Sequence, residues 1–331
     1  MWLKSSSIGR KLLMSITGAC LVLFVTFHVL MNSVAILWPA AYNSVCAFLG
    51  ANWYALVACA GLALLFVVHI LYAFILTLQN RKARGNNRYA VTSTPKSVEW
   101  SSKNMLVLGI VVVAFMVVHF IQFWYKMQWQ EIIGNHFYTT AEGAAIPVTA
   151  GSLFIQFAFQ SWWTPVVYII GFIALWFHMN HGFWSMFQSA GWNNNTWLPR
   201  LKKISCVWTT LVIGLFIVQA GWFTYQANQG EYLYNSELKG QYKAIILEHF
   251  QEKAQEIQMN AKGQFDPEAM KQMQELQAEF QKTAQSLDAL CAEPVAAPAE
   301  EAIEEPVATP DATATEADST AVENQEQPAN N

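Results

Sequence analysis

Trp176-Phe177-His178-Met179-Asn180-His181-Gly182-Phe183-Trp184 lies inside a long apolar run, and the stretch itself offers its two histidines no carboxylate or cation. An ionisable side chain at membrane depth costs free energy, so a retained one is usually paired or functional. The surrounding run, 162–187, is long enough to cross a hydrocarbon core, which needs ~20 helical residues. Further runs of this kind fall near 12–38, 53–78, 104–126 and 205–227. The chain therefore reads as an all-α membrane protein, a five-transmembrane-helix bundle. Lys4, Arg10 and Lys11 precede the first run as they would in a signal peptide. That run exceeds the ~7–15 residues of a signal core, so it is read as an uncleaved span.

Of the 331 residues, 54% are hydrophobic and 13% charged, but the charge is divided unevenly. Residues 1–230 carry 13 Lys and Arg against Glu99, Glu131 and Glu142, a net of +10. Residues 231–331 carry six Lys against 20 acids, a net of −14, so that the whole chain stands at −4. The break places a domain boundary near Gly230, between a membrane domain, 1–230, and an acidic, water-soluble extension. The five cysteines form no C-x-x-C pair, which removes the usual sequence evidence for a zinc site, an iron–sulfur cluster or covalent haem.

Basic residues set the orientation. They cluster before span one, between spans two and three (Arg81, Lys82, Arg84, Arg88, Lys96, Lys103) and between spans four and five (Arg200, Lys202, Lys203). Residues 39–52 carry no charge, and 127–161 only two glutamates. The positive-inside rule then puts the N-terminus in the cytoplasm and the C-terminal tail outside. In the long outer connection, 151–160 reads as a short interfacial segment. Trp38, Trp53, Trp124, Trp129 and Trp222 near the outer ends suit an aromatic belt.

The extension divides again. Residues 231–292 are amphipathic and helical. Asp266-Pro267-Glu268 reads as an N-cap, a proline at the first helical position and a first-turn acid, ahead of an apolar stripe at Met273, Leu276, Phe280, Leu287 and Leu290. Residues 293–331 are rich in Ala, Pro, Glu and Thr without periodicity, the composition of a disordered acidic tail.

Of seven histidines, His136 and His249 fall outside the spans and read as ordinary solvent-side residues. His28, His69, His119, His178 and His181 place at least one in each of the first four spans. Singly, each could be a polar residue bonded to a neighbouring helix. Their depths, however, match in pairs. His28 lies 17 residues past Lys11 and His119 lies 16 past Lys103, both about 25 Å from the inner basic residues at ~1.5 Å per residue. His69 lies 12 residues before Arg81, about 18 Å, and His178 nine before the end of its span, about 14 Å. His28 pairs with His119 toward the outer face, and His69 with His178 toward the inner. Two imidazoles opposed at one depth are what a bis-histidine haem b requires. Two such pairs point to two haems stacked across the membrane.

In span four, His178 is the preferred ligand and His181 the alternative. Gly171, Ala174 and Gly182 line the helix face of His178 with small side chains that a porphyrin could approach. His181 sits about 60° around the helix, with Phe177 on its face. No Asp or Glu lies in any span, so the carboxylate relay common in proton pumps is missing. Asn32 and Gln122, near the outer pair, could bond a quinone carbonyl or, more simply, a neighbouring helix.

The sequence resembles the single-chain, five-helix, dihaem cytochrome b anchors of bacterial succinate:quinone oxidoreductases (succinate dehydrogenase and fumarate reductase, b558 type). The resemblance covers about residues 1–227. It rests on Ser6-Ser7-Ile8-Gly9-Arg10-Lys11, Met14-Ser15-Ile16-Thr17-Gly18 and Phe27-His28; on His69-Ile70-Leu71-Tyr72; on His119 with Trp124; and on Phe177-His178-x-x-x-Gly182-x-Trp184-Ser185. It implies pairing of spans one with three and two with four, which agrees with the depths. It also implies two non-covalent haems b, a quinone (menaquinone), and a place in the bacterial cytoplasmic membrane. On the cytoplasmic side it implies docking to a flavoprotein subunit with FAD and an iron–sulfur subunit. Electrons would pass between that subunit and the quinone, in the direction of succinate oxidation or fumarate reduction. The chain has no flavin or cluster motif of its own, so catalysis on succinate belongs to the partners. His181 and the acidic extension depart from the family pattern.

Two other readings compete. A dihaem cytochrome b of a hydrogenase, formate dehydrogenase or nitrate reductase would differ in span count and histidine placement. A non-redox transporter would leave the paired depths to chance and would be colourless.

Overall fold

The computed structural model describes residues 6–84, 99–261 and 266–293. The chain divides into two units, 1–293 and 294–331. The second unit, and with it nearly all of the segment expected to be a disordered tail, lies outside the described residues, as do Lys4, Arg88 and Lys96.

Among the described residues, five helices are long and apolar enough to cross a membrane: α1 (Ser7–Leu37), α3 (Trp53–Arg84), α4 (Trp100–His119), α7 (Trp163–Gln188) and α8 (Trp197–Asn228). These are spans one to five, and the protein is a multi-pass membrane protein. Several helices overrun the apolar runs read from sequence: span one starts at Ser7, span two reaches Arg84 and span five starts at Trp197. Lys and Arg lay their aliphatic stems along the helix while their charges reach water, so polarity does not stop the backbone from continuing.

Local chemistry sets the ends. The Ser6 hydroxyl caps span one by accepting from Gly9 N at 2.9 Å. Trp38 is extended, the conformation required before Pro39, and this ends span one and opens α2 (Pro39–Ala51) with proline at its first position. Gly191 at φ 84° ends the turn after span four, with Trp192 N bonding Phe187 O at 3.1 Å.

Span one packs against spans two, four and five, span three against span four, and span two meets span three only briefly. The four histidine-bearing spans close a ring. Spans one and three lie on one diagonal, two and four on the other, and span five lies outside against one and four. Lipid supplies little hydrophobic drive between helices, so close packing and interhelical hydrogen bonds carry the association. Gly171 on span four receives the ring of Phe115 from span three, and a Cβ there would overlap it. Gln219 on span five donates to Val29 O (2.7 Å) and Ser33 Oγ (3.0 Å) on span one.

The connections at the end of the bundle opposite the basic clusters, α2, the 125–162 segment and residues 229–261 and 266–293, build a cap. It contains α5 (Gln128–Ile132), a two-stranded antiparallel hairpin (β1, Phe137–Thr139; β2, Ala145–Pro147), α6 (Gly151–Phe159), α9 (Glu231–Tyr234), α10 (Ser236–Asn260) and α11 (Pro267–Leu290). Gly230, at φ 70°, makes the turn from span five into α9. Asp266 caps α11 as the sequence suggests, accepting from Glu268 N at 3.0 Å. Ile146, Phe154, Tyr232, Tyr242, Ile246 and Leu287 are fully buried together in its core. Asn43 Oδ1 accepts from both the backbone N and the Oγ of Ser152. Ser152 Oγ lies 2.7 Å from the Tyr242 hydroxyl, which donates to Tyr232 O. Residues 151–160, read from the sequence as a short interfacial segment, form α6, which is buried within the cap along most of its length, with Phe157 partly exposed.

Candidate functional site

The ring geometry brings the span histidines together in two pairs. The rings of His28 (span one) and His119 (span three) have centres 5.9 Å apart with planes at 89°. Those of His69 (span two) and His178 (span four) are 6.3 Å apart at 69°. Each pair bridges a diagonal of the ring of spans, where the helices themselves are not close neighbours.

The separation in depth can be read from two glycines. A Cβ on Gly18 would stand 3.5 Å from His69 Cε1, and one on Gly109 would stand 3.6 Å from His178 Cε1. Gly18 precedes His28 by ten residues and Gly109 precedes His119 by ten. The two pairs are therefore about 15 Å apart along the bundle. Each outward-running span carries an outer histidine and, three turns earlier, a glycine whose missing side chain admits an inner one.

The hydrogen bonds assign protons within the rings. Thr17 Oγ1 lies 2.9 Å from the Leu13 carbonyl, 3.1 Å from that of Met14 and 3.1 Å from His69 Nδ1, and with its proton given to the carbonyls it accepts from the imidazole. His69 is then protonated at Nδ1, with its lone pair on Nε2. The Tyr168 hydroxyl donates to Gln122 Oε1 at 2.9 Å and so accepts from His119 Nδ1 at 3.1 Å, which gives the same tautomer. At His28, Asn32 Nδ2 donates to Nε2 at 3.1 Å, while Asn32 Oδ1 accepts from Tyr42 OH. Here too the lone pair is on Nε2, although an amide engages it. His178 Nδ1 is buried without a hydrogen-bond partner.

These features fit an axially ligated metal macrocycle. Metal–imidazole bonds near 2 Å, plus about 1 Å from each nitrogen to its ring centre, put two axial rings roughly 6 Å apart. A ligating imidazole typically donates its other N–H to a fixed acceptor, as His69 and His119 do. The outer pair sits in an aromatic shell of Phe24, Phe216, Phe115 and Phe123. The small-residue face beside His178 is only partly free, since Phe115 fills the space at Gly171 while no neighbouring side chain crowds Gly182.

His181 is engaged elsewhere. Its Nδ1 is 3.4 Å from Glu99 Oε2, and Glu99 Oε1 is 2.6 Å from Lys202 Nζ, which lies 4.4 Å above the Trp184 ring. The carboxylate missing from its own stretch arrives from the start of span three. Burial pushes the Glu99 carboxyl up, but the hydrogen bonds from Lys202 and His181 outweigh this and hold it below the ordinary carboxylate value. Gln122 Nε2 donates to Thr164 Oγ1 at 3.2 Å, so it bonds span four, as the simpler expectation had it.

Sequence reading missed three features. Thr17 and Tyr168 are isolated polar residues in apolar runs, and nothing in their spacing names a histidine partner. His136 and His249 are not isolated solvent residues but stack in the cap with ring centres 4.5 Å apart.

Fold and site together define a five-span helical membrane protein with two diagonal histidine pairs at separate depths. Compared with protein-family models, curated proteins and solved structures, the chain matches none.

Proposed function

We propose that the chain is the membrane anchor and electron-transfer subunit of a succinate:quinone oxidoreductase. In this reading it binds two haems b and menaquinone in a bacterial cytoplasmic membrane. It docks an iron–sulfur subunit and an FAD flavoprotein at its basic, cytoplasmic end, with the cap outside. His28 and His119 would hold the outer iron, and His69 and His178 the inner. A bound haem b supplies reversible one-electron transfer. The chain's own residues oppose the imidazoles, hold His69 and His119 through Nδ1, and keep water and charge away from all four.

One observation carries the reading: two histidine pairs meet across the diagonals at separate depths, with ring centres 5.9 and 6.3 Å apart. Isolated interhelical hydrogen bonds average only about 0.6 kcal/mol, too little to require four imidazoles in matched pairs.

Purified protein should show a reduced b-type spectrum with two haems per chain; none, or one, overturns the proposal. His28→Ala or His119→Ala should remove the outer haem, and His69→Ala or His178→Ala the inner. Co-purification tests the partners. A flavoprotein and iron–sulfur pair active on succinate or fumarate is expected, and a different oxidoreductase would replace the assignment.

A further inference from the structure

We infer that Thr17 and Tyr168 are positioning residues for the two sites, each fixing one imidazole of a pair from a span that supplies a ligand to the other pair. The inference rests on the haem reading above.

Thr17 is buried in span one, which carries the outer histidine His28, yet its hydroxyl holds the inner histidine His69. Tyr168 is buried in span four, which carries the inner histidine His178, yet its hydroxyl holds the outer histidine His119. In both cases the hydroxyl's single proton is already committed, to the Leu13 and Met14 carbonyls or to Gln122 Oε1. With its proton so placed each oxygen accepts, and the imidazole then carries its proton at Nδ1 and its lone pair at Nε2. The opposite members are not held in this way. His178 Nδ1 has no partner, and His28 is bonded only through Nε2. Each pair thus has one ring held at Nδ1 by a span that carries a histidine of the other pair, so the two residues tie the spans of the two pairs together. An accepted N–H bond also raises ligand basicity, which favours the oxidised, more positive metal.

The test uses full-length protein and reads haem content, the two reduction potentials separately, and the low-spin signals of the oxidised state. Thr17→Val should raise the potential of the inner haem alone and weaken its retention 10–100-fold. Thr17→Ser, which keeps the hydroxyl, should restore both. Tyr168→Phe should do the same to the outer haem alone. Unchanged potentials in Thr17→Val and Tyr168→Phe would overturn the inference, as would equal shifts at both haems in either variant. If Thr17→Val and Thr17→Ser lose haem equally, the residue acts by packing and the inference fails. A wild-type chain without two haems would instead overturn the underlying functional reading.

Discussion

At the scale of single residues, the two histidines of span four have separate tasks that their shared stretch conceals. His178 faces His69, whereas His181 belongs to an ion cluster with Glu99 and Lys202. On the proposed dihaem reading, His181→Ala should keep two haems per chain by pyridine haemochrome assay, while His178→Ala keeps one. The Glu99–Lys202 pair is partly exposed, and such pairs contribute about 0–1 kcal/mol. Lys202→Ala should therefore change the melting temperature in detergent only slightly. The relative depths of the histidines were legible because helical rise is uniform and the basic residues give a common reference at one end of the spans. The Glu99 contact was not, because 82 residues separate it from His181 and no local spacing rule links them.

Among the elements, spans three and four depend on one close approach. A Cβ at Gly171 would overlap the root of the Phe115 side chain, which cannot swing clear. Gly171→Ala should destabilise the bundle by ~1–3 kcal/mol through overpacking, measured as a lower melting temperature in detergent. Directly after His119 the helix loosens into a π-turn, Phe120–Trp124, with Tyr125 N bonding Phe120 O at 2.8 Å. Such turns often stand at functional sites, and this one carries the Gln122 that fixes Tyr168. All five spans were readable from apolar length alone. The π-turn was not, because it changes no residue type.

For the molecule as a whole, the cap is where sequence said least. Charge set 231–292 apart, yet helices 236–260 and 267–290 pack with the outer connections through Tyr242, Ile246 and Leu287. The pattern was visible as amphipathicity, but which surfaces it would meet was not, since short-range periodicity names a buried face and not its partner. The His136–His249 stack makes this region sensitive to acid. Burial, with like-charge repulsion from His136 and Lys253, lowers His249 from 6.5 to about 4. Between those values the unfolded chain binds a proton that the folded cap refuses, so stability falls as pH drops through that window. The melting temperature should be lower at pH 5 than at pH 7, and His249→Gln should narrow the difference.

The diagonal pairing also imposes an order in time. A chain emerging from its N-terminus can bring His28 and His119 together once span three is inserted. His69 must wait for His178, about sixty residues later. At ~5–20 residues per second that is an interval of several seconds. Tyr168, which steadies His119, emerges within the same interval, shortly before His178. The outer site can thus form first in outline, and it becomes rigid only as the inner site closes.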